Sequence, residues 1–98
     1  LIKKVKMKLT KKQKIEILRG AVECLEVGIE TCICLAIRRA SQCTIHSSEV
    51  FDIFPELLKH KPKKNSYYPL LWFEYSVKNT QKRISILNKV IKELGGVK

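Results

Sequence analysis

The chain predicts an all-α fold, a compact bundle of four to five helices with a basic, proline-punctuated loop. Three observations carry that reading. Ile15, Leu18, Val22 and Leu25 step by three and four, and Ile84, Leu87, Val90, Ile91 and Leu94 do much the same, so each set forms one helical face. Between Thr31 and Arg38 the chain is apolar on nearly every side, as a central buried helix would be. All three prolines, the only Trp and all three Phe fall between Glu49 and Phe73, leaving long proline-free stretches on both sides.

Taken in order, Leu1 to Leu9 alternates weakly between apolar residues and lysine, as a frayed tail or a short edge strand would. Thr10 followed by Gln13 has the form of a capping box, which starts a helix near Lys11. Lys11, Lys12 and Lys14 crowd its first turn, where the helix dipole disfavours cations, so either another role places them there or solvent screens the cost. Gly28 ends or bends that helix. A second helix is expected from Ile29 to Cys43, emerging into water at Arg38 and Arg39. Ser47 or Ser48 is placed to cap a short third helix from Glu49 to about Phe54. Pro55 then breaks it or opens the next piece, Glu56 to His60. Lys61 to Asn65 reads as a loop, and Tyr67 to Tyr75 as a short helix or extended chain. Asn79 or Thr80 is expected to cap the last helix, which ends at Leu94 before Gly95-Gly96. Lys78, Lys82, Lys89 and Lys92 share its outer side as a basic ridge some three turns long.

With 98 residues the chain is long enough for one domain, set at 10–98, preceded by a basic tail at 1–9. Met7 is the only methionine, so residues 1–6 read either as part of a fragment's numbering or as an upstream extension. The net charge of +11 is unevenly placed. Residues 1–15 carry seven lysines and no acid, residues 16–56 three arginines against seven acids, and residues 57–98 ten basic residues against two acids. Basic ends around an acidic middle suit solvated faces, an anionic ligand, or end-to-middle pairing between subunits. No apolar run approaches the roughly 20 residues that span a bilayer, and no signal peptide pattern follows the basic start. A cytoplasmic protein with reduced thiols and no membrane partner is expected.

Cys24, Cys32, Cys34 and Cys43 do not follow the short knuckle spacing of structural zinc sites, and on one helix Cys32 and Cys34 would diverge by about 200°. They read as small core residues, and no metal or cofactor is expected. The bases available to a nucleophile are His46 and His60, neither in a catalytic motif, and K-H-K holds His60 toward its neutral form. Glu23, Glu26 and Glu30 follow helical spacing, as an exposed acidic face would. No phosphate loop of the G-x-x-x-x-G-K-[ST] type occurs. An enzyme is not expected. Anion binding is the remaining chemistry. Lysines at the start of the first helix and Lys82-Arg83 at the start of the last combine with the N–H groups of helix N-termini. Arg38-Arg39 offers two planar forks. Lys59, His60, Lys63 and Lys64 stand beside Tyr67 and Tyr68, a mixture of charge and stacking surface able to hold a nucleotide or a single strand.

The stretches G-I-E-T-C-I-C-L-A-I at 28–37, F-P-E-L at 54–57, L-W-F at 71–73 and R-I-S-I-L-N-K-V-I at 83–91 resemble small α-helical proteins encoded by bacteriophages. The resemblance covers some 60 residues, includes no functional motif, and transfers no residue roles. It implies a phage accessory protein acting in the host cytoplasm.

Three functions follow as expectations. The first is a non-enzymatic anti-defence protein that sequesters an anionic ligand, most specifically a nucleotide immune signal, in a basic pocket between subunits of a homo-oligomer. Its pocket residues are Arg38, Arg39, Lys59, His60, Lys63, Lys64, Tyr67, Tyr68, Lys82 and Arg83. The second is a nucleic-acid-binding module with a continuous basic stripe. The third is an inhibitor whose acidic middle meets a host protein.

Overall fold

Thr10 caps the first described helix. Its hydroxyl accepts from Gln13 N–H at 3.1 Å while the Gln13 side chain accepts from Thr10 N–H at 2.9 Å, so the capping box satisfies two otherwise orphaned donors. In the computed structural model, which describes residues 9–30, 32–60 and 77–96, helix α1 runs Lys11–Val27. It closes at Gly28, whose φ of 82° is the left-handed conformation that glycine adopts without a Cβ clash, and Ile29 N–H donates to Cys24 O at 3.0 Å.

Helix α2 is Ile33–Ala40, shorter than the segment from Ile29 to Cys43 expected from sequence. Cys32 stands outside it as the N-cap, its sulfur accepting from Leu35 N–H at 3.4 Å. The helix ends where Gln42 and Cys43 take φ of 57° and 65°. Left-handed backbone costs a non-glycine residue about 1–2 kcal/mol, offset here by Cys43 N–H donating to Arg38 O at 2.8 Å. A 3₁₀ turn, Ser47–Glu49, leads into the one-turn helix α3, Val50–Ile53. The N-cap of α3 is Glu49, which makes no side-chain capping bond to that helix; its carboxylate instead accepts from His46 N–H at 3.0 Å and closes the 3₁₀ turn. A second 3₁₀ segment, Pro55–His60, follows, with Pro55 as its first residue. The last helix, α4, is Val77–Glu93, so it starts two to three residues before Asn79 or Thr80.

These elements pack around α1. Leu18, Ala21, Val22 and Leu25 of α1 meet Ile33, Cys34, Ala36 and Ile37 of α2 and Ile84, Ile86, Leu87, Val90 and Ile91 of α4 in one core, closed by Ile45, Val50, Phe54 and Leu57. Each Val, Leu, Ile or Phe side chain among them contributes roughly 1.5–3 kcal/mol when fully buried. The α1–α2 approach is close enough that a Cβ on Gly20 would stand 3.0 Å from Ala40 Cβ. Among the described residues there is no strand, and no helix is long and apolar enough to cross a membrane. The fold is an all-α bundle. The region from Lys61 to Ser76, with its proline-punctuated loop and downstream aromatic anchor, lies outside the described residues, as does the tail 1–8.

Two substitutions test this arrangement. Thr10→Ala is expected to lower the unfolding free energy by about 1 kcal/mol in urea titrations, through loss of the cap. Gly20→Val should cost about 1–3 kcal/mol, because Ala40 must move to admit it.

Candidate functional site

The packing that buries Ile84, Leu87, Val90 and Ile91 turns another side of α4 outward. Gln81, Ser85, Asn88, Lys89 and Lys92 recur at intervals of four, three, one and three, which places them on one side of the helix over roughly 16 Å. They line two adjoining hollows. The first, of about 440 Å³, is formed by Arg19 of α1 with Asn88, Ile91 and Lys92 of α4. The second, of about 330 Å³, is lined by Gln81, Ile84, Ser85, Asn88, Lys89 and Lys92. Asn88 and Lys92 belong to both, so the hollows form one groove. Their volumes fall in the range of small-molecule sites.

The chemistry of the lining is of one kind. Of the described residues that line it, three are cations (Arg19, Lys89, Lys92), three are neutral hydrogen-bonding side chains (Gln81, Ser85, Asn88), two are isoleucines, and none is a carboxylate. Ile84 and Ile91 are almost fully buried and give the groove an apolar floor. Cations with hydrogen-bonding amides over an apolar base suit a phosphorylated ligand that also carries a planar or sugar-like part. Only Lys89 and Lys92 of this set belonged to the basic ridge read from sequence. Arg19, Gln81, Ser85 and Asn88 were missed. The signal available for three of them was their shared helical face. Arg19 had no local signal, because it comes from another helix.

The described members of the expected pocket, Arg38, Arg39, Lys59, His60, Lys82 and Arg83, lie on three different elements. Arg38 and Arg39 are exposed and line a separate cavity of about 380 Å³ with Glu30, Leu35, Gln42 and Cys43. Arg39 Nε donates to Glu30 Oε2 at 2.8 Å, and that carboxylate, through the hydrogen bond first and its charge second, raises the Arg39 pKa. Lys59 is exposed, while His60 Nε2 stands 3.1 Å from Glu93 Oε2 at the far end of α4. Lys82 and Arg83 lie in the second turn of α4 rather than its first, so they do not meet the N-terminal N–H groups as expected. They are some 15 Å along the helix from Glu93. Lys82 is exposed, but Arg83 is only 1% exposed, and burial lowers its pKa, an effect partly opposed by Cys32. Arg83 therefore belongs to the interior and offers no surface to a ligand. Lys63, Lys64, Tyr67 and Tyr68 lie outside the described residues.

Lys14, one of the cations crowding the first turn of α1, has a structural role. Its Nζ meets Glu56 Oε2 at 3.3 Å and stands 5.7 Å from the Phe54 ring centroid, tying α1 to the 3₁₀ segment that carries Glu56.

The cysteines separate by burial. Cys32 and Cys34 are core residues; Cys24 is half-buried and Cys43 exposed. Burial pushes the Cys34 thiol up to about 12, with the neighbouring Cys32 adding to the effect. Burial also raises Cys32, against hydrogen bonds from the Leu35 and Cys34 amides. Among the described residues no group of three or more His, Cys, Asp or Glu is placed to hold a metal ion. No protein-family model, no curated protein and no solved structure matches the chain.

Thiol mapping checks this electrostatic picture. In the folded protein at pH 8, Ellman's reagent should modify Cys43 readily and leave Cys34 untouched until denaturant is added, because the thiolate is the reacting species. Mass spectrometry of the labelled peptides reads the order directly.

Proposed function

We propose that the chain is a non-enzymatic binding protein that sequesters a phosphorylated, nucleotide-class anion in the groove between α1 and α4. The observation that carries this reading is the lining itself: cations and neutral hydrogen-bonding side chains, without a carboxylate among its described residues, over an apolar floor. Lys92 and Lys89 are assigned the phosphate, with Arg19 across the groove. Asn88 and Gln81 are assigned the donor and acceptor groups of a base or sugar. With the resemblance to phage-encoded helical proteins, the biological role proposed is that of an anti-defence factor in the host cytoplasm that removes a nucleotide signal from solution.

A second reading is favoured by one observation. Lys82, Lys89 and Lys92 are all exposed along the outer side of α4, and a single nucleic-acid strand could follow that line. The two readings differ in salt response. A strand held by many phosphate contacts loses affinity steeply and smoothly with salt, whereas a mononucleotide with few phosphate contacts does so less.

Mass spectrometry of the purified protein, native and then denatured, tests the proposal. Release of a defined phosphorylated compound supports sequestration, and heterogeneous nucleic acid supports the second reading. Calorimetric titration with common nucleotides extends the test. Lys92→Glu is expected to weaken nucleotide binding roughly tenfold or more, the loss of one charge-assisted hydrogen bond. A protein that carries and binds no phosphorylated compound, with or without Lys92, overturns the proposal.

A further inference from the structure

The side of α4 that lines the groove repeats itself. Gln81, Ile84 and Ser85 are followed seven positions later by Asn88, Ile91 and Lys92, so a carboxamide, an isoleucine and a polar side chain recur in the same order. Seven residues are close to two helical turns, which returns each member to the same face about 10.5 Å further along the axis. The two hollows divide along this repeat. Gln81, Ile84 and Ser85 line the hollow of about 330 Å³, and Ile91 lines the one of about 440 Å³. Asn88 and Lys92 stand at the junction and line both. Each hollow also has a cation of its own, Lys89 in the smaller and Arg19 in the larger. Each half of the groove therefore holds an apolar floor, a carboxamide and a cation. Each volume by itself also reaches the lower bound of small-molecule sites, roughly 300 Å³.

A ligand with a single flat ring would use half of this arrangement. Resting on the assignment of the α4 groove to a phosphorylated ligand, we infer that the ligand is a dinucleotide of adenine, two bases joined through a phosphodiester. One base occupies each hollow, and the linking phosphate lies at the junction on Lys92. The carboxamides carry the specificity. Asn and Gln present a donor and an acceptor on neighbouring atoms, matched to the amino group and ring nitrogen on the outer edge of adenine. Gln81 reads one base over Ile84, and Asn88 reads the other over Ile91. Successive bases in a stack lie about 3.4 Å apart. The two readers are about 10.5 Å apart, so the bases are splayed and each ring rests on its own isoleucine. Lys89 and Arg19, one to each hollow, add a cation to each half of the ligand.

The test is calorimetric titration of the full chain with four probes: adenosine monophosphate, linear adenylyl-adenosine, cyclic di-adenylate and hexa-adenylate. One dinucleotide should bind per chain, roughly tenfold or more tighter than the mononucleotide, because its two halves are tethered. The mononucleotide should fill two places per chain at saturation. Whichever dinucleotide binds more tightly, linear or cyclic, names the form of the linkage. Gln81→Ala and Asn88→Ala should each lower dinucleotide affinity roughly fivefold or more, since each removes the reader of one base. Both side chains are exposed, so neither change opens a cavity in the core. A mononucleotide that binds once per chain, as tightly as the dinucleotides, overturns the inference and leaves nucleotide sequestration standing. Hexa-adenylate bound more than about tenfold tighter than either dinucleotide overturns it in favour of a strand. Dinucleotide affinity indifferent to both Gln81→Ala and Asn88→Ala also overturns it. If none of the four probes binds, the inference falls, and the assignment of the groove falls with it only where the purified protein carries no phosphorylated compound.

Discussion

The constraint on which the rest of the structure depends is that one helix serves two partners. Leu18, Ala21, Val22 and Leu25 of α1 are buried, and α1 packs against both α2 and α4. The close side faces α2, where Gly20 admits Ala40 to a distance that any larger residue would obstruct. The other side fixes the rotation of α4. Once Leu87, Val90 and Ile91 are turned inward, helical geometry leaves no choice about Gln81, Ser85, Asn88 and Lys92. The candidate groove is thus a consequence of core packing, and Arg19 joins it because α1 supplies its opposite wall.

Much of the fold could be read from sequence, for a local reason. A capping box at Thr10 and Gln13, a left-handed glycine at 28 and the apolar face of α4 are each decided by residues within one or two turns of each other. The misplaced boundaries come from rarer local solutions. Cys32 is a poor cap by preference, yet its sulfur takes the Leu35 amide. Glu49 closes its 3₁₀ turn from within, its carboxylate reaching back to the His46 amide. Arg83 shows a different limit. It stands four residues before Leu87 and seven before Val90, so periodicity alone puts it on the buried face; reading it as a surface cation gave residue type precedence over register. Lys82, its neighbour in sequence, lies about 100° away around the helix and is exposed. Adjacency in the chain made a pair of two residues that the helix separates.

The candidate site was the least legible part because it is built across elements. Arg19 and Lys92 lie 73 positions apart, and nothing in either helix alone states which faces will oppose. The cations that drew attention in sequence were dense and local, and dense local charge tends to find local or structural partners. Arg39 holds Glu30, His60 meets Glu93, and Lys14 holds Glu56. The lysines left to the groove are spread singly along one face, a pattern that draws less notice than a cluster but forms a line once the helix is folded.

The three ion pairs also show why these contacts are better regarded as positioning devices than as sources of stability. Arg39 is 55% exposed, and pairs with a solvent-exposed partner contribute little, commonly below about 1 kcal/mol. What the pair does is geometric. It binds the residue just past the α1–α2 turn to the last turn of α2, across a short helix that ends in two left-handed residues. It also engages Glu30, whereas Glu23 and Glu26 are exposed on the last turns of α1. The apolar side chains between them are exposed, although the core a few ångströms away is closed. The uneven charge of the chain thus takes two separate places in the folded molecule: cations line the groove on α4, and exposed carboxylates stand beside exposed apolar side chains at the turn of α1.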